Sequence, residues 1–202
     1  GLYNWHDAGY CVLKDGGLEE HVEIERYSRL KEDTGDSLWY LENKYLQKNN
    51  LEIKDIEHWV SSCPNTNLEK SGHRNYDTHN KISKDKITFY PHHLCHASHA
   101  FYSSPYKNSL ILTIDSAGLN EIGEPVSTCG FYGSDNKIQR LFEISNKVFS
   151  IGSLWGRCTR FIFKLSAGYP RGHQAGSIMA MAAFGNPDKY YNAFLKMATI
   201  DF

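Results

Sequence analysis

The sequence predicts an α/β fold, a mixed sheet flanked by helices. Three observations predict it. Tyr10–Leu13 and His21–Arg26 read as paired strands across the turn Lys14-Asp15-Gly16-Gly17, the second alternating apolar and polar residues. Asp36-Ser37 precedes Leu38, Leu41, Tyr45 and Leu46, which recur at helical spacing behind a capping pair. Ser109-Leu110-Ile111-Leu112-Thr113-Ile114-Asp115 is a near-continuous apolar run of the kind a fully buried strand carries.

The remaining elements follow in order. A short strand is expected near Ile56–Val60. Residues 61–86 are dominated by Asn, Ser, Thr, Lys and Asp and read as a long surface loop, with a substrate-facing insertion the alternative and Leu68, Tyr76 and Ile82 as core candidates. Ile87–Tyr90 reads as a strand leading into a histidine-rich helix. The run Ser109–Asp115 is expected to end in a tight turn, Asp115-Ser116-Ala117-Gly118. Ser127–Tyr132 and Ile138–Ile144 form a second hairpin. Ser150 caps a helix through Leu154, Cys158 and Phe161. Gly168–Gly172 is a loop, and Ala175–Ala183 is a small-residue helix closed by Gly185-Asn186-Pro187.

Composition narrows the function classes. Apolar residues at 41% suffice for a sizeable core, and a net charge of −1 gives no basic field for nucleic acid or an anionic membrane. Five cysteines, an odd number with no CxxC pair, argue against a disulfide framework or a thiolate zinc site. Reduced thiols and the lack of any apolar run near the roughly 18 residues of a membrane span fit a cytoplasmic protein. The chain opens at Gly1-Leu2-Tyr3 and stops at Asp201-Phe202, which reads as a segment of a longer protein.

Pro91-His92-His93-Leu94-Cys95-His96-Ala97-Ser98-His99 carries the chemistry. On a helix, His92 and His96 share a face and can aim two imidazoles at one ion, and a strand-end carboxylate, Asp115, lies nearby in sequence. His99 falls on nearly the same face, while His93 is rotated away by about a quarter turn. The alternative is a set of hydrogen-bonded core or surface histidines. A zincin protease is disfavoured, because that pattern needs Glu where His93 stands.

Several blocks, taken in order, resemble the NodU/TobZ family of O-carbamoyltransferases. They are Asn4-Trp5-His6-Asp7-Ala8, Glu25–Lys31, the His92–Tyr102 block, Leu112–Asp115, Ser150–Trp155 and Ile178–Gly185. The resemblance implies that residues 1–202 are the first part of an incomplete Kae1-like domain of the actin/sugar-kinase/Hsp70 fold. The rest of that domain and a YrdC-like domain would lie outside this chain, which alone is expected not to turn over. It implies transfer of a carbamoyl group from carbamoyl phosphate, through carbamoyl-adenylate made with ATP, to a hydroxyl of a small molecule. By resemblance, His92, His96 and Asp115 hold a divalent transition metal, Fe2+ first among candidates, and Asp115 and Gly118 lie by the nucleotide. His6 matches the histidine at the transfer site. Lys31 matches a basic residue that contacts carbamoyl-adenylate, although a lysine in such a polar loop is as readily a solvated one. Arg26 and Arg29 are expected to form structural ion pairs, with phosphate contact as the alternative.

The sequence departs from the family at Gly9, Ser116, His99, Ser177, Ala180 and Ala183. Two other readings stand beside the first. One is threonylcarbamoyl transfer to tRNA of the Kae1/TsaD kind, against which the neutral charge argues. The other is a non-catalytic metal- or nucleotide-binding module, supported by the departures. The expected partner is a small hydroxylated acceptor rather than a membrane or nucleic acid, with a homodimer left open.

Overall fold

Asp15 and Gly16 both adopt left-handed backbone, φ 50° and 80°, and so close the first predicted hairpin with the twist a two-residue turn requires. The computed structural model describes residues 1–4, 7–62, 81–165 and 174–197. The hairpin joins β2 (Gly9–Lys14) to β3 (Gly17–Glu23). The second strand stops at Glu23 rather than Arg26. There the chain coils into a single helical turn, α1 (Glu25–Ser28), ended by Arg29 at φ 61°.

β1 (Leu2–Tyr3) pairs antiparallel with β2 and parallel with β4 (Trp59–Ser61), which pairs parallel with β5 (Ile87–Phe89). The result is a mixed five-stranded sheet in the order β3-β2-β1-β4-β5. The fourth strand starts later than expected, because a 3-10 turn at Ile53–Asp55, held by Glu52 and Asp55 capping each other, comes first.

The helix predicted after Asp36 forms as α2 (Ser37–Tyr40), continued by a π turn over Leu41–Leu46. Leu38, Leu41, Tyr45 and Leu46 are its buried face, packed with Leu2, Tyr10, Ile24 and Trp59. Each such burial contributes about 1.5–3 kcal/mol. The Asp36 carboxylate accepts the Leu38 and Trp39 N–H groups at 3.0 and 3.1 Å. Asp36→Ala is expected to cost about 1 kcal/mol, read as a lower urea midpoint at unchanged slope. Ser37 fastens this helix to β1, donating its hydroxyl to the Tyr3 carbonyl and its N–H to the Asn4 side chain.

Of the expected surface loop, residues 63–80 lie outside the described residues, as do Leu68 and Tyr76; Ile82 is buried in the first core. The predicted Gly168–Gly172 loop also falls outside them.

The second sheet is antiparallel, β6 (Asn108–Leu119), β7 (Pro125–Ser134) and β8 (Lys137–Ser145). The predicted hairpin is present, turning at Asp135 (φ 51°). Two expectations for β6 are corrected. It does not end in a turn at Asp115 but runs on to Leu119 across an irregularity between Ile114 and Gly118. Nor is it buried on both faces: Ile111 and Thr113 are buried, whereas Leu110, Leu112 and Ile114 are 76%, 61% and 49% exposed. The cause is one-sided cover by the histidine helix, α3 (His92–Tyr102), whose Ala97 and Phe101 pack with Ile111, Val126, Cys129 and Phe131.

Gly1–Leu154 forms one compact unit and Trp155–Phe202 a second. Ser150 caps α4 (Ile151–Arg157), its hydroxyl accepting the Ser153 N–H at 3.0 Å. A π turn over Cys158–Ile162 continues that helix, with the buried Thr159 hydroxyl donating to the Trp155 carbonyl. The second unit also holds α5 (Ala175–Ala182), as predicted, and α6 (Tyr191–Met197). Among the described residues, no helix is long and apolar enough to cross a membrane.

Candidate functional site

The rotation of α3 decides where its histidines go. At about 100° per residue, His93, Ala97 and Phe101 fall on one face, and these three are its buried residues. His92 and His96 then flank that face at the margin of the helix–sheet contact. Asp115 lies on β6 two residues beyond Thr113, on the strand face turned toward the helix.

The three polar side chains converge. His92 Nε2 is 2.9 Å from Asp115 Oδ2 and 2.9 Å from His96 Nε2, and His96 Nε2 is 3.6 Å from Asp115 Oδ2. All three donor atoms lie within 4.8 Å of one another. The side chains are 19%, 55% and 34% exposed for His92, His96 and Asp115, so the cluster opens to solvent on the His96 side. Burial opposes ionisation of Asp115, but hydrogen bonds from His92, His96 and the Ser116 N–H outweigh it and hold the carboxyl well below the usual carboxylate range. A proton on His92 Nε2 serves only one of its two close contacts well, since a ring nitrogen offers either one N–H or one lone pair.

The backbone beneath the cluster is fixed from two sides. A Cβ on Gly118 would lie 2.2 Å from His92 Cδ2, so the ring rests directly on that glycine. A Cβ on Gly152 would meet the Ser116 nitrogen at 2.4 Å, so the start of α4 sits on the Asp115–Ser116 peptide. Ser150 adds a hydroxyl donated to the Ser116 carbonyl at 2.8 Å.

His93, expected to be rotated away from the face of His92 and His96, is only 3% exposed. Its Nε2–H donates to the Val126 carbonyl at 2.9 Å, and Nδ1 is hydrogen-bonded to the Thr113 hydroxyl at 2.8 Å, which also faces the Cys129 carbonyl at 3.3 Å. Burial pushes its pKa below the ordinary histidine value, consistent with a neutral ring. The adjacency of a second histidine to His92 was visible in the sequence. Its two partners were not, because they lie on two different strands.

A cavity of about 160 Å³ adjoins His93, with Cys129, Phe131 and Ile138 in its wall. The triad takes no part in its lining. The cavity's charged residues satisfy one another, Arg140 pairing with Glu121 at 2.8 Å and Glu143 at 2.9 Å.

The family model described as carbamoyltransferase N-terminus matches residues 34–199, most of the chain. The chain belongs to this carbamoyltransferase family. No curated protein matches it.

Within the carbamoyltransferase domain, the matched segment contains His92, His96, Asp115 and Gly118 and leaves His6 and Lys31 ahead of it. His6 lies outside the described residues. Lys31 is exposed between α1 and α2, and the hydrogen bonds and ion pairs of the triad do not involve it. Arg26 forms the expected ion pairs, with Glu23 at 3.1 Å and Glu25 at 3.7 Å. His99 is exposed and outside the triad, since it stands about 10 Å along the helix axis from His92 despite sharing its azimuth.

Proposed function

We propose that this carbamoyltransferase domain is the Kae1-like part of a NodU/TobZ-type O-carbamoyltransferase. Its reaction carries a carbamoyl group from carbamoyl phosphate, through carbamoyl-adenylate formed with ATP, to the hydroxyl of a small molecule. The observation that supports this beyond the family is the convergence of His92, His96 and Asp115.

The donor set fits one divalent transition metal. An ion about 2.1 Å from each ligand needs donors about 3.0 Å apart at right angles and about 3.4 Å at tetrahedral angles. The separations here are 2.9, 2.9 and 3.6 Å. Two imidazoles and one carboxylate on one side of an ion suit Fe2+, the metal we propose, and leave coordination positions free. When bound, such an ion supplies a Lewis acid that polarises the carbamoyl oxygen.

The chain's own residues supply the rest. Asp115, held ionised, offsets the charge of the ion, and the exposed side of His96 leaves the reacting group access. We assign His6 as the base that takes the acceptor's hydroxyl proton. The acceptor oxygen then bonds to the carbamoyl carbon, the bond from that carbon to the phosphate oxygen breaks, and AMP departs. Lys31 would stabilise the phosphate charge as it develops.

The test uses the intact protein, purified without oxygen. Expected are about one transition metal per chain and AMP formation that requires carbamoyl phosphate. Metal without such AMP formation would leave the non-catalytic module. AMP formation that required threonine, bicarbonate and tRNA instead would favour the threonylcarbamoyl reading.

A further inference from the structure

We propose that His93 is a positioning residue that sets the rotation of α3 and thereby aims His92 and His96 at Asp115. The inference rests on the metal reading above only for its metal-based readout.

His93 is the one buried polar side chain of α3, and its ring bridges the helix to two strands at once. Nδ1 is joined to Thr113 on β6, and Nε2 to the Val126 carbonyl on β7. An apolar residue in its place would leave the rest of the buried face, Ala97 and Phe101, to fix the helix by shape alone. Apolar contacts tolerate a few degrees of rotation or a small slide, whereas two hydrogen bonds to different strands do not. The geometry they protect is fine. The Thr113 anchor sits two residues from Asp115, and the His93 anchor one residue from His92. A helix rotation of about 10° moves a ring nitrogen roughly 7 Å from the axis by about 1 Å, which is enough to spoil a three-donor site. Val126 itself pairs with Gly118, the glycine beneath the His92 ring. The anchor on β7 therefore acts at the same level of the sheet as the contact it protects.

The experiment uses the full chain and Co2+ alone as the probe. His93→Phe keeps the ring shape and removes both hydrogen bonds, leaving the Val126 carbonyl buried without its donor. Its Co2+ affinity is expected to fall 10- to 100-fold, with an altered visible absorption spectrum. His93→Gln can still donate an amide N–H to Val126 and is expected to recover most of the loss. Should His93→Phe fail to fold, Thr113→Val carries the test, keeping the Val126 anchor and removing the other. It is expected to weaken Co2+ by several-fold.

Ring 15N spectra of the metal-free variants provide a readout that needs no metal. The signals of His92 and His96 should move in His93→Phe and return towards wild type in His93→Gln. A folded His93→Phe protein with unchanged ring signals and unchanged Co2+ binding overturns the inference. Moved ring signals in a protein whose wild type takes up no Co2+ sink the metal reading and leave the positioning role standing.

Discussion

Replacing His92 and His96 together by alanine is expected to abolish metal uptake by the intact protein, with carbamoyl transfer lost in parallel. The single variants should differ in kind. Each removes one of three donors and should lower metal affinity at least 100-fold, about 2.7 kcal/mol or more. His92 does a second job. Its ring is only 19% exposed, lies on Gly118 and hydrogen-bonds Asp115 at 2.9 Å. His92→Ala therefore opens a gap under α3 and leaves a partly buried carboxylate short of a donor, a loss of stability even without metal. His96 is 55% exposed and its removal opens no gap. Melting of the metal-free proteins should show a clear fall for His92→Ala and little change for His96→Ala, while elemental analysis shows both depleted. Full metal content in either variant would overturn the ligand assignment.

Gly118→Ala, a change of one methyl group on a strand, is expected to damage the site without touching any of the three converging side chains. The added carbon would stand 2.2, 2.5 and 2.7 Å from His92 Cδ2, Cγ and Cβ. The ring cannot swing away, because its own Cβ, fixed to the helix backbone, is among the clashing atoms. Helix and strand must part instead, at a cost of about 1–3 kcal/mol from overpacking. Metal affinity should fall at least 10-fold with every ligand still present. Gly130 is an informative control. A Cβ there would also fall 2.2 Å from a ring, that of Phe142, but that side chain is 47% exposed and can rotate outward. Gly130→Ala should cost much less in an equilibrium unfolding experiment. Equal losses for the two alanines would show that strand geometry, rather than the His92 ring, sets the penalty.

The pairing of His92 with His96 was legible in the sequence because helical spacing is a local property, and the two lie four apart on a single helix. Asp115 was also legible, since it closes an apolar strand run. The hairpins and the α2 face were readable for the same reason, their signals being turn residues and short periods. What escaped was relational. SLILTID reads as a strand buried on both sides, yet hydropathy cannot say that the helix covers only the Ile111 and Thr113 face. The turn expected after Asp115 is a bulged continuation of β6, because β7 supplies partners as far as Leu119. The close approach of Gly118 to a histidine ring from another element was likewise not readable. His93 looked like the odd member of its cluster until its two hydrogen-bond partners were seen.

His92 and Asp115 are 23 residues apart in the chain, on a helix and the strand that follows it. A separation of this size makes bringing the two together cheaper in loop-closure entropy than a contact across the length of the chain. The two histidines and Asp115 are thus brought together by a single helix–strand unit, without waiting for distant parts of the chain. A metal captured at that stage would brace the unit while the remaining chain is still finding its partners.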